Sequence, residues 1–290
     1  MDIEVPKEQA PVTLRAFLPR ALPDAPIWAL QECLRRRDVR RGGERLGGTD
    51  EVAGGDLLRV YLPKTALKFA PGQLQVVYED AHVLLVNKPQ GISVCEDEGG
   101  GDTMLARAQR HIAAEGGDAG AVALCHRLDH HTGGLLLLAK DAVALEAAKE
   151  AFRLRTIHKT YTCRVVGCPQ PREQVLLAYL RKDAARARVQ VAEHPFPGAQ
   201  RILTGYRVVE EEGDASRLEV DLITGRTHQI RAHLAFIGHP IIGDDKYGLR
   251  AVNRAQHARG QQLWATRLEL HARGALAYLD GRSFEVKAPF

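Results

Sequence analysis

The chain has 290 residues, which favours one large domain or two modest ones over a single small module. Hydrophobic residues make up 45% and charged residues 26%, so disorder, collagen and a disulfide scaffold are excluded as the main architecture. The net charge is +4, a bias too small to identify a binding partner by itself.

The sequence shows no sign of export or of a membrane anchor. Uninterrupted apolar runs such as residues 135–139 are far shorter than the roughly 20 residues that span a bilayer. Residues 1–5 lack the basic and apolar regions of a secretory signal. The five cysteines are odd in number and scattered, as expected for free thiols in a reducing compartment. We therefore expect a cytoplasmic protein without membrane association.

Residues 12–64 are predicted to form a first domain, after a polar tail at 1–10 that we expect to be frayed. Apolar residues at helical spacing predict two short helices, near 14–18 and 28–34, with two prolines between them. Loose alternation after a glycine-rich turn predicts a strand at 57–62.

A basic segment lies between the second helix and this strand. Residues 35–41 hold five arginines and one aspartate, a patch that attracts a polyanion such as RNA; a solvated helix end is the alternative. Two short helices, a basic turn and a strand after Gly-Asp resemble the S4 RNA-binding domain, with a small α+β capping domain as the alternative. The resemblance implies that Arg36, Arg37 and Arg40 hold RNA phosphates without reading sequence.

Residues 74–290 are predicted to form a second domain, after a linker at 65–73. Two strand-like runs at 76–80 and 83–88 predict a hairpin. Further patterns predict helices at 104–114, 142–154 and 227–236, and strands at 135–139, 161–166, 202–210 and 217–222. Residues 171–201 give no clear assignment. Helices and strands mix without strict βαβ alternation, which predicts an α+β fold.

No phosphate-binding loop, dinucleotide fingerprint, zinc-protease motif or nucleophile elbow is present. The first informative stretch is HRLDHHTGG at 126–134, a charged loop leading into an apolar strand. It places Asp129 near Arg127 at a sheet edge, although an aspartate in such a loop most often caps a turn. A metal-dependent hydrolase is an alternative with four candidate ligands, His126, Asp129, His130 and His131, but no further ligand set is apparent.

The second informative stretch is ITGRTHQIRAHL at 223–234. Gly225 supplies a turn, and a helix that begins at Thr227 places Thr227 and Arg231 on one face, one turn apart. A helix N-terminus with arginines, here Arg226 and Arg231, is suited to hold a carboxylate or a phosphate.

Five motifs follow one another along the second domain: NKPxG at 87–91, HRLDxxT at 126–132, KxY at 159–161, GRTHQIRAHL at 225–234 and GHPIIGDDKYG at 238–248. Their order closely resembles the RluA-type pseudouridine synthase family, from about residue 74 to residue 290. The resemblance implies a mixed, largely antiparallel sheet with flanking helices. It also implies an enzyme that converts uridine in RNA to pseudouridine without a cofactor or a metal.

The resemblance assigns roles to individual residues. Asp129 matches the catalytic aspartate, Tyr161 the active-site tyrosine and Arg231 the arginine that pairs with the aspartate. Arg127 matches the arginine that helps displace the target base. Three more residues of these motifs are expected to contact the substrate: His126, Thr132 and Arg226.

One position departs from the family pattern. Members usually have Thr-Ser-Gly where this chain has Thr132-Gly133-Gly134, and the glycine is expected to loosen the catalytic loop without removing a catalytic group. A catalytically silent RNA-binding or ribosome-assembly factor on the same fold is therefore the main alternative. The presence of all three presumptive catalytic residues argues against it.

Ribosomal RNA is the expected substrate, because family members with an S4 domain often act on the large-subunit RNA; transfer RNA is the alternative. A monomer is expected. Pseudouridine formation breaks the C1′–N1 bond, turns the uracil and joins C1′ to C5, which requires neither redox change nor an external group. The uridine must leave its stack. Asp129 must be ionised, as a nucleophile or as a base, and Tyr161 offers a flat ring for the flipped base.

Overall fold

The computed structural model describes residues 1–22, 25, 27–62, 74–95, 102–183 and 187–290. Two prolines between the first helices, Pro23 and Pro26, and the linker predicted at 65–73 lie outside the described residues. The chain divides into two compact units, Met1–Leu74 with Pro89–Arg107 and Gln75–Lys88 with Ala108–Phe290. Within the described parts, no helix has the length and apolar content that a membrane crossing requires.

The first unit is a small α+β fold with a core of its own. Its elements are β1 (Asp2–Glu4), β2 (Val12–Thr13), α1 (Leu14–Ala21), α2 (Ile27–Arg35), β3 (Val39–Arg41), β4 (Glu44–Leu46), β5 (Glu51–Val52) and β6 (Leu57–Val60). An antiparallel sheet runs in the order β1-β6-β3-β4, and β2 pairs with β5. Leu14 and Leu18 of α1 share one buried cluster with Leu58 and Val60, the inward residues of β6.

Residues 1–10 are not the frayed tail that their polarity predicts, so that expectation was wrong. The backbone of β1 pairs with β6, and Arg59 donates two hydrogen bonds to the Asp2 carboxylate at 2.7 and 3.0 Å. Val5 is fully buried in the core of the unit. An edge strand is held by its backbone groups, which the polarity of its side chains does not reveal.

The second unit is built on a mixed, largely antiparallel sheet. Its strands are β7 (Val76–Glu79), β8 (Val83–Lys88), β9 (Ala123–Leu124), β10 (Gly133–Ala139), β11 (Ile157–Val166), β12 (Glu173–Asp183), β13 (Arg188–Ala192), β14 (Gln200–Glu212), β15 (Ala215–Asp221), β16 (Leu263–Leu270) and β17 (Arg282–Glu285). The strand order is β13-β12-β14-β15-β11-β16-β10-β8-β7, with β9 beside β10 and β17 beside β16. Strands β10 and β16 run parallel, and the other pairs among the described residues are antiparallel.

Four α-helices of the described residues belong wholly or partly to this unit. They are α3 (Met104–Ala114), whose first turn belongs to the first unit, α4 (Ala142–Leu154), α5 (Gln229–Phe236) and α6 (Arg250–Ala255). Asp141 begins α4 by accepting a hydrogen bond from the Ala144 amide at 2.7 Å, as an N-cap residue does. The buried alanines of α4 pack in one cluster with β10, and their small side chains allow the helix to lie close to the sheet.

The centre of the sheet is apolar on both faces. Every residue of β8 and of β10 is buried, and the two strands pair in register from Gly134 opposite Lys88 to Ala139 opposite Val83. These are the continuous apolar runs that the sequence predicted as strands. The loop that precedes β10 therefore leads into a fully buried strand.

Most predicted elements of the second unit are confirmed. The hairpin β7–β8 and the helices α3 and α4 lie at the predicted positions, and residues 171–201 contribute β12, β13 and the first residues of β14. Helix α5 begins at Gln229 instead of Thr227, because His228 takes a left-handed conformation with φ of +55° and ends the preceding turn. Both units combine helices with antiparallel strands, so the predicted α+β class is confirmed.

Candidate active site

Asp129 lies in the loop between β9 and β10, at the end of the apolar centre of the sheet. The Thr132 amide donates to the Asp129 carbonyl at 3.0 Å, which closes a tight turn around the aspartate. Its side chain keeps about a quarter of its surface exposed, and the carboxylate faces Arg231 of α5. The loop therefore presents one acidic group to the outside of the fold.

Arg231 is the buried centre of this site. Its Nη1 donates to Asp129 Oδ2 at 3.0 Å, while Nε and Nη2 donate to the two oxygens of Asp244 at 2.7 and 3.0 Å. Burial lowers the pKa of Arg231, but the hydrogen bonds and charges of the two carboxylates outweigh it and raise that pKa. The guanidinium is permanently charged. Its Nε and Nη2 groups form a bidentate pair with Asp244, and this pair fixes the direction in which Nη1 donates to Asp129.

Asp244 is fully buried and fixes the arginine from behind. Burial raises the pKa of Asp244, but hydrogen bonds from Arg231 and from the backbone amides of Lys246 and Tyr247 outweigh burial and keep the pKa low. Asp244 belongs to the fifth motif of the sequence, yet sequence reasoning gave it no role. No local spacing indicates that residue 244 faces residue 231, because the contact depends on the tertiary fold.

His228, the N-cap residue of α5, is a second residue that sequence reasoning missed. Its Nε2 lies 4.0 Å from Asp129 Oδ2, and its Nδ1 lies 2.9 Å from the Tyr247 hydroxyl. That hydroxyl accepts from the Val189 amide at 2.9 Å and can donate its own proton to Nδ1. Burial lowers the pKa of His228. A neutral ring that accepts from this hydroxyl on Nδ1 carries its proton on Nε2, on the side of Asp129.

Tyr161 lies at a β-bulge in the pairing of β11 with β16. Thr160 lies opposite Arg267, but Tyr161 lies opposite Ala265, so the register shifts between them. The ring is buried, and burial together with the negative charge of Asp129 raises the pKa of the hydroxyl. Within the described residues this hydroxyl has no hydrogen-bond partner. The charge of Asp129 therefore acts on Tyr161, and the phenol stays protonated.

The loop that carries Asp129 rests on a buried lysine. Lys88, at the end of β8, donates to the carbonyls of His130 and Thr132 at 3.1 and 2.8 Å. Burial lowers the pKa of this lysine to about 7, although the charge of Asp129 opposes the shift. Thr132 is itself buried, and its hydroxyl accepts from Gln261 at 2.9 Å. Through these two contacts, Thr132 anchors the loop to Lys88 and Gln261.

The glycine that departs from the family pattern has a partner of its own. Gly133 pairs with Trp264 across the parallel strands, and a Cβ atom at residue 133 would overlap the indole ring. The indole N–H donates to Asn87 at 3.2 Å and fixes the ring. Gly134 has a φ of +110° and lies against the backbone of Ala265, which a larger residue would not permit. This packing leaves no room for a larger side chain at residues 133 and 134.

The other predicted site residues are placed as follows. His126 accepts the Leu137 amide on its Nε2 at 3.1 Å, and burial lowers its pKa to about 3, so it is a neutral support of β10. Arg127 and Arg226 are exposed, and their guanidinium groups make no hydrogen bond or ion pair within the described residues. The three arginines of the basic segment, Arg36, Arg37 and Arg40, belong to the first unit, and Asp129, Arg231 and Tyr161 belong to the second.

Two other clusters combine histidine with carboxylates in a geometry that suits a metal ion. Within the described residues, ligand atoms lie within 4.8 Å of one another in His158, Glu269 and His271, and in Glu79, His111 and Glu115. Asp129 belongs to neither cluster, and His126 already uses its Nε2 on the backbone. The geometry around Asp129 is that of an arginine-paired carboxylate beside a protonated phenol.

The chain is similar to known proteins over most of its length. Residues 82–236 match the sequence model of a family described as RNA pseudouridylate synthase. The ribosomal large subunit pseudouridine synthase C of Vibrio parahaemolyticus is 32% identical over 282 residues, which cover 93% of this chain and 86% of that protein. The synthase D of Yersinia pestis is 32% identical over 254 residues, covering 86% and 77%. The solved structure of human RNA pseudouridylate synthase domain containing 4 aligns with a TM-score of 0.60 at 26% identity, over 74% of this chain and 88% of that one.

Proposed function

Since the chain belongs to the RNA pseudouridylate synthase family, we propose that it converts specific uridines of large-subunit ribosomal RNA to pseudouridine, with Asp129 as the catalytic carboxylate. The observation that carries the role of Asp129 is its contact with Arg231, which the buried Asp244 holds in place. The names of the relatives support ribosomal RNA as the substrate.

The reaction exchanges one bond of the nucleoside for another. The C1′–N1 bond breaks, C1′ joins C5, N1 gains a proton and the C5 hydrogen leaves as a proton. Asp129 either attacks C1′ or removes a proton from the ribose, and both routes need its ionised form. The fixed positive charge of Arg231, 3.0 Å away, favours that form and orients it.

The remaining residues bind and position the base. The target uridine must leave its stack to reach a carboxylate at the edge of a sheet. Arg127 is exposed and its guanidinium has no partner within the described residues, so it is free to occupy the space that the base leaves. The ring of Tyr161 supports the uracil, and its hydroxyl, protonated because its pKa is raised, assists proton movement at C5.

The first unit supplies a second contact with RNA in this proposal. Its basic segment carries more arginines than carboxylates, and Arg36, Arg37 and Arg40 are assigned to the phosphate backbone. Such contacts hold the RNA and set its register without identifying the target base.

The test is release of tritium from RNA labelled at uridine C5, with unmodified large-subunit ribosomal RNA and unmodified transfer RNA as separate substrates. We expect release from the ribosomal RNA by the wild-type chain and none by Asp129→Asn. The matched control is Asp245→Asn, which changes a neighbouring but exposed carboxylate and should keep activity. Release from transfer RNA alone would correct the substrate. No release from either RNA, with binding intact, would favour the silent binding factor.

A further inference from the structure

The first unit contains a cavity that shares Arg36 and Arg40 with the basic segment and has no part in the proposed reaction itself. It has a volume of about 340 Å³ and is lined by Arg36, Asp38, Arg40, Tyr61 and Leu62. Cavities of roughly 300–1,000 Å³ are of the size that binds small ligands or their parts. We call it the Tyr61 cavity and ask what its lining can bind.

The geometry of the sheet puts an aromatic ring and a cation together there. Tyr61 follows β6, and its amide donates to the Asp38 carbonyl at 2.9 Å, which extends the pairing of β6 with β3 by one residue. Val60 points into the core, so Tyr61 points outward, and nearly half of its surface is exposed. The Arg40 guanidinium lies over the ring, 5.4 Å from its centre. An exposed aromatic ring with an arginine beside it is a surface on which a nucleobase stacks.

The charges of the cavity are only partly compensated. Arg35 and Arg36 share the single carboxylate of Glu32, which leaves one positive charge at the end of α2. Arg40 has no carboxylate partner within the described residues, and the Asp38 carboxylate there accepts no hydrogen bond and joins no ion pair. The cavity therefore offers a cation for a phosphate and, next to the ring, an acceptor for N–H groups.

We propose that the Tyr61 cavity binds one unpaired nucleobase of the RNA, a guanine, apart from the uridine that is modified. Guanine presents two adjacent donors, N1–H and N2–H, which one carboxylate accepts together, and adenine offers one amino group in their place. Asp38 takes these donors, Tyr61 stacks on the ring and Arg36 contacts the flanking phosphate. This inference rests on the proposed function, since it takes RNA as the partner of the chain.

The test measures binding of the full-length chain to fluorescent adenosine nonaribonucleotides whose central base is guanine, hypoxanthine or adenine. We expect the guanine probe to bind about tenfold more tightly than the adenine probe, with hypoxanthine, which lacks the N2 amino group, between them. The probes contain no uridine, so the result does not depend on pseudouridine formation. Failure of this inference and failure of the proposed function are therefore distinguishable.

Variants separate stacking from recognition of the base edge. Tyr61→Leu should weaken binding of every probe about tenfold, and Tyr61→Phe, which keeps the ring, should bind as the wild type does. Asp38→Asn should abolish the preference for guanine. Tyr278→Leu, at an exposed tyrosine of the second unit, is the control and should leave the preference intact. Equal binding of the three probes by the wild type, or a guanine preference that survives Asp38→Asn, would overturn the proposal.

Discussion

Asp129 gains its orientation from a neighbour that is itself fixed. Arg231 is held by both oxygens of Asp244, and the whole pair is buried, so the donor that reaches Asp129 has little freedom to move. A buried pair of this kind adds little net stability, because its desolvation offsets most of the attraction. Its contribution is to orient the Arg231 donor toward the Asp129 carboxylate, and replacement of Asp244 tests this role.

Asp244→Asn is expected to damage both the fold and the reaction. The buried Arg231 then loses its bidentate partner and keeps only the partly exposed Asp129 and the exposed Asp245 as counter-charges, so we expect the free energy of unfolding to fall by about 3 kcal/mol. Arg231 is then no longer held in the orientation in which it donates to Asp129, so we expect kcat to fall about 10- to 100-fold while KM for RNA changes little. Denaturant unfolding and tritium-release kinetics measure the two effects separately.

Asp245→Asn is the matched control for that change. Its carboxylate lies 3.5 Å from Arg231, but about two thirds of its side chain is exposed, so we expect a stability change below about 1 kcal/mol. If Asp245→Asn lowered kcat as much as Asp244→Asn, the positioning role assigned to the buried carboxylate would be wrong.

Tyr161→Phe removes a hydroxyl that has no hydrogen-bond partner within the described residues, while it keeps the ring. We expect stability to stay within about 0.5 kcal/mol of the wild type. If the hydroxyl assists proton movement at C5, kcat falls about 10²- to 10⁴-fold and RNA affinity persists. Tyr161→Leu should also weaken RNA binding, since it removes the ring. Full activity of the phenylalanine variant would limit the role of Tyr161 to stacking.

At the scale of elements, the catalytic loop depends on the lysine that ends β8. Lys88 reaches the carbonyls of two loop residues from beneath, so burial of the lysine and position of the loop are linked. The ordinary lysine pKa of 10.5 applies to the unfolded chain, and the pKa is lowered to about 7 in the folded one. Between these values the unfolded state binds more protons, so the free energy of unfolding rises with pH.

Lys88→Met is expected to remove this pH dependence. The difference in unfolding free energy between wild type and variant should shift in favour of the wild type as pH rises from about 7 to 9.5. Below pH 7 the lysine is charged in both states and the difference should be constant. Urea titrations at a series of pH values measure it, with Lys149→Met, at a half-exposed lysine, as the control. A difference that is flat above pH 7 would contradict the assignment.

The elements also show what the sequence could and could not predict. Helix α4 and strands β8 and β10 were predicted because their periodicity or continuous apolar character is local. Residues 171–201 resisted assignment because β12 exposes Val175 and Leu177, so apolar residues do not alternate cleanly along it. The bulge that aims Tyr161 depends on pairing with β16, about 100 residues away along the chain, and no local pattern marks it.

The residues of the candidate site also fall into those that the sequence predicted and those that it did not. Family motifs identified Asp129, Tyr161 and Arg231, and the structure brings Asp129 and Arg231 into contact. The supporting residues Asp244 and His228 lie inside motifs that the sequence displayed, but their roles arise from contacts between distant segments. Short motifs reveal which residues belong together, and only the fold reveals which of them touch.

At the scale of the whole molecule, the chain combines two compact units. The first has a separate buried core and carries the basic segment. RNA binding that depends on phosphate contacts releases counterions, and the salt dependence of affinity counts those contacts.

Replacing Arg36, Arg37 and Arg40 together by glutamine should weaken RNA binding and flatten its salt dependence. Each lost phosphate contact reduces the slope of log K against log salt by about 0.7 to 0.9, so three contacts reduce it by roughly 2 to 3. At saturating RNA, kcat should be unchanged, because these residues do not touch the reacting atoms in the proposed mechanism. The charge-matched control replaces Arg153, Arg172 and Arg207 of the second unit, each of which is paired with a carboxylate. An equal change of slope in both triple variants would show that net charge, and not the basic segment, sets the affinity.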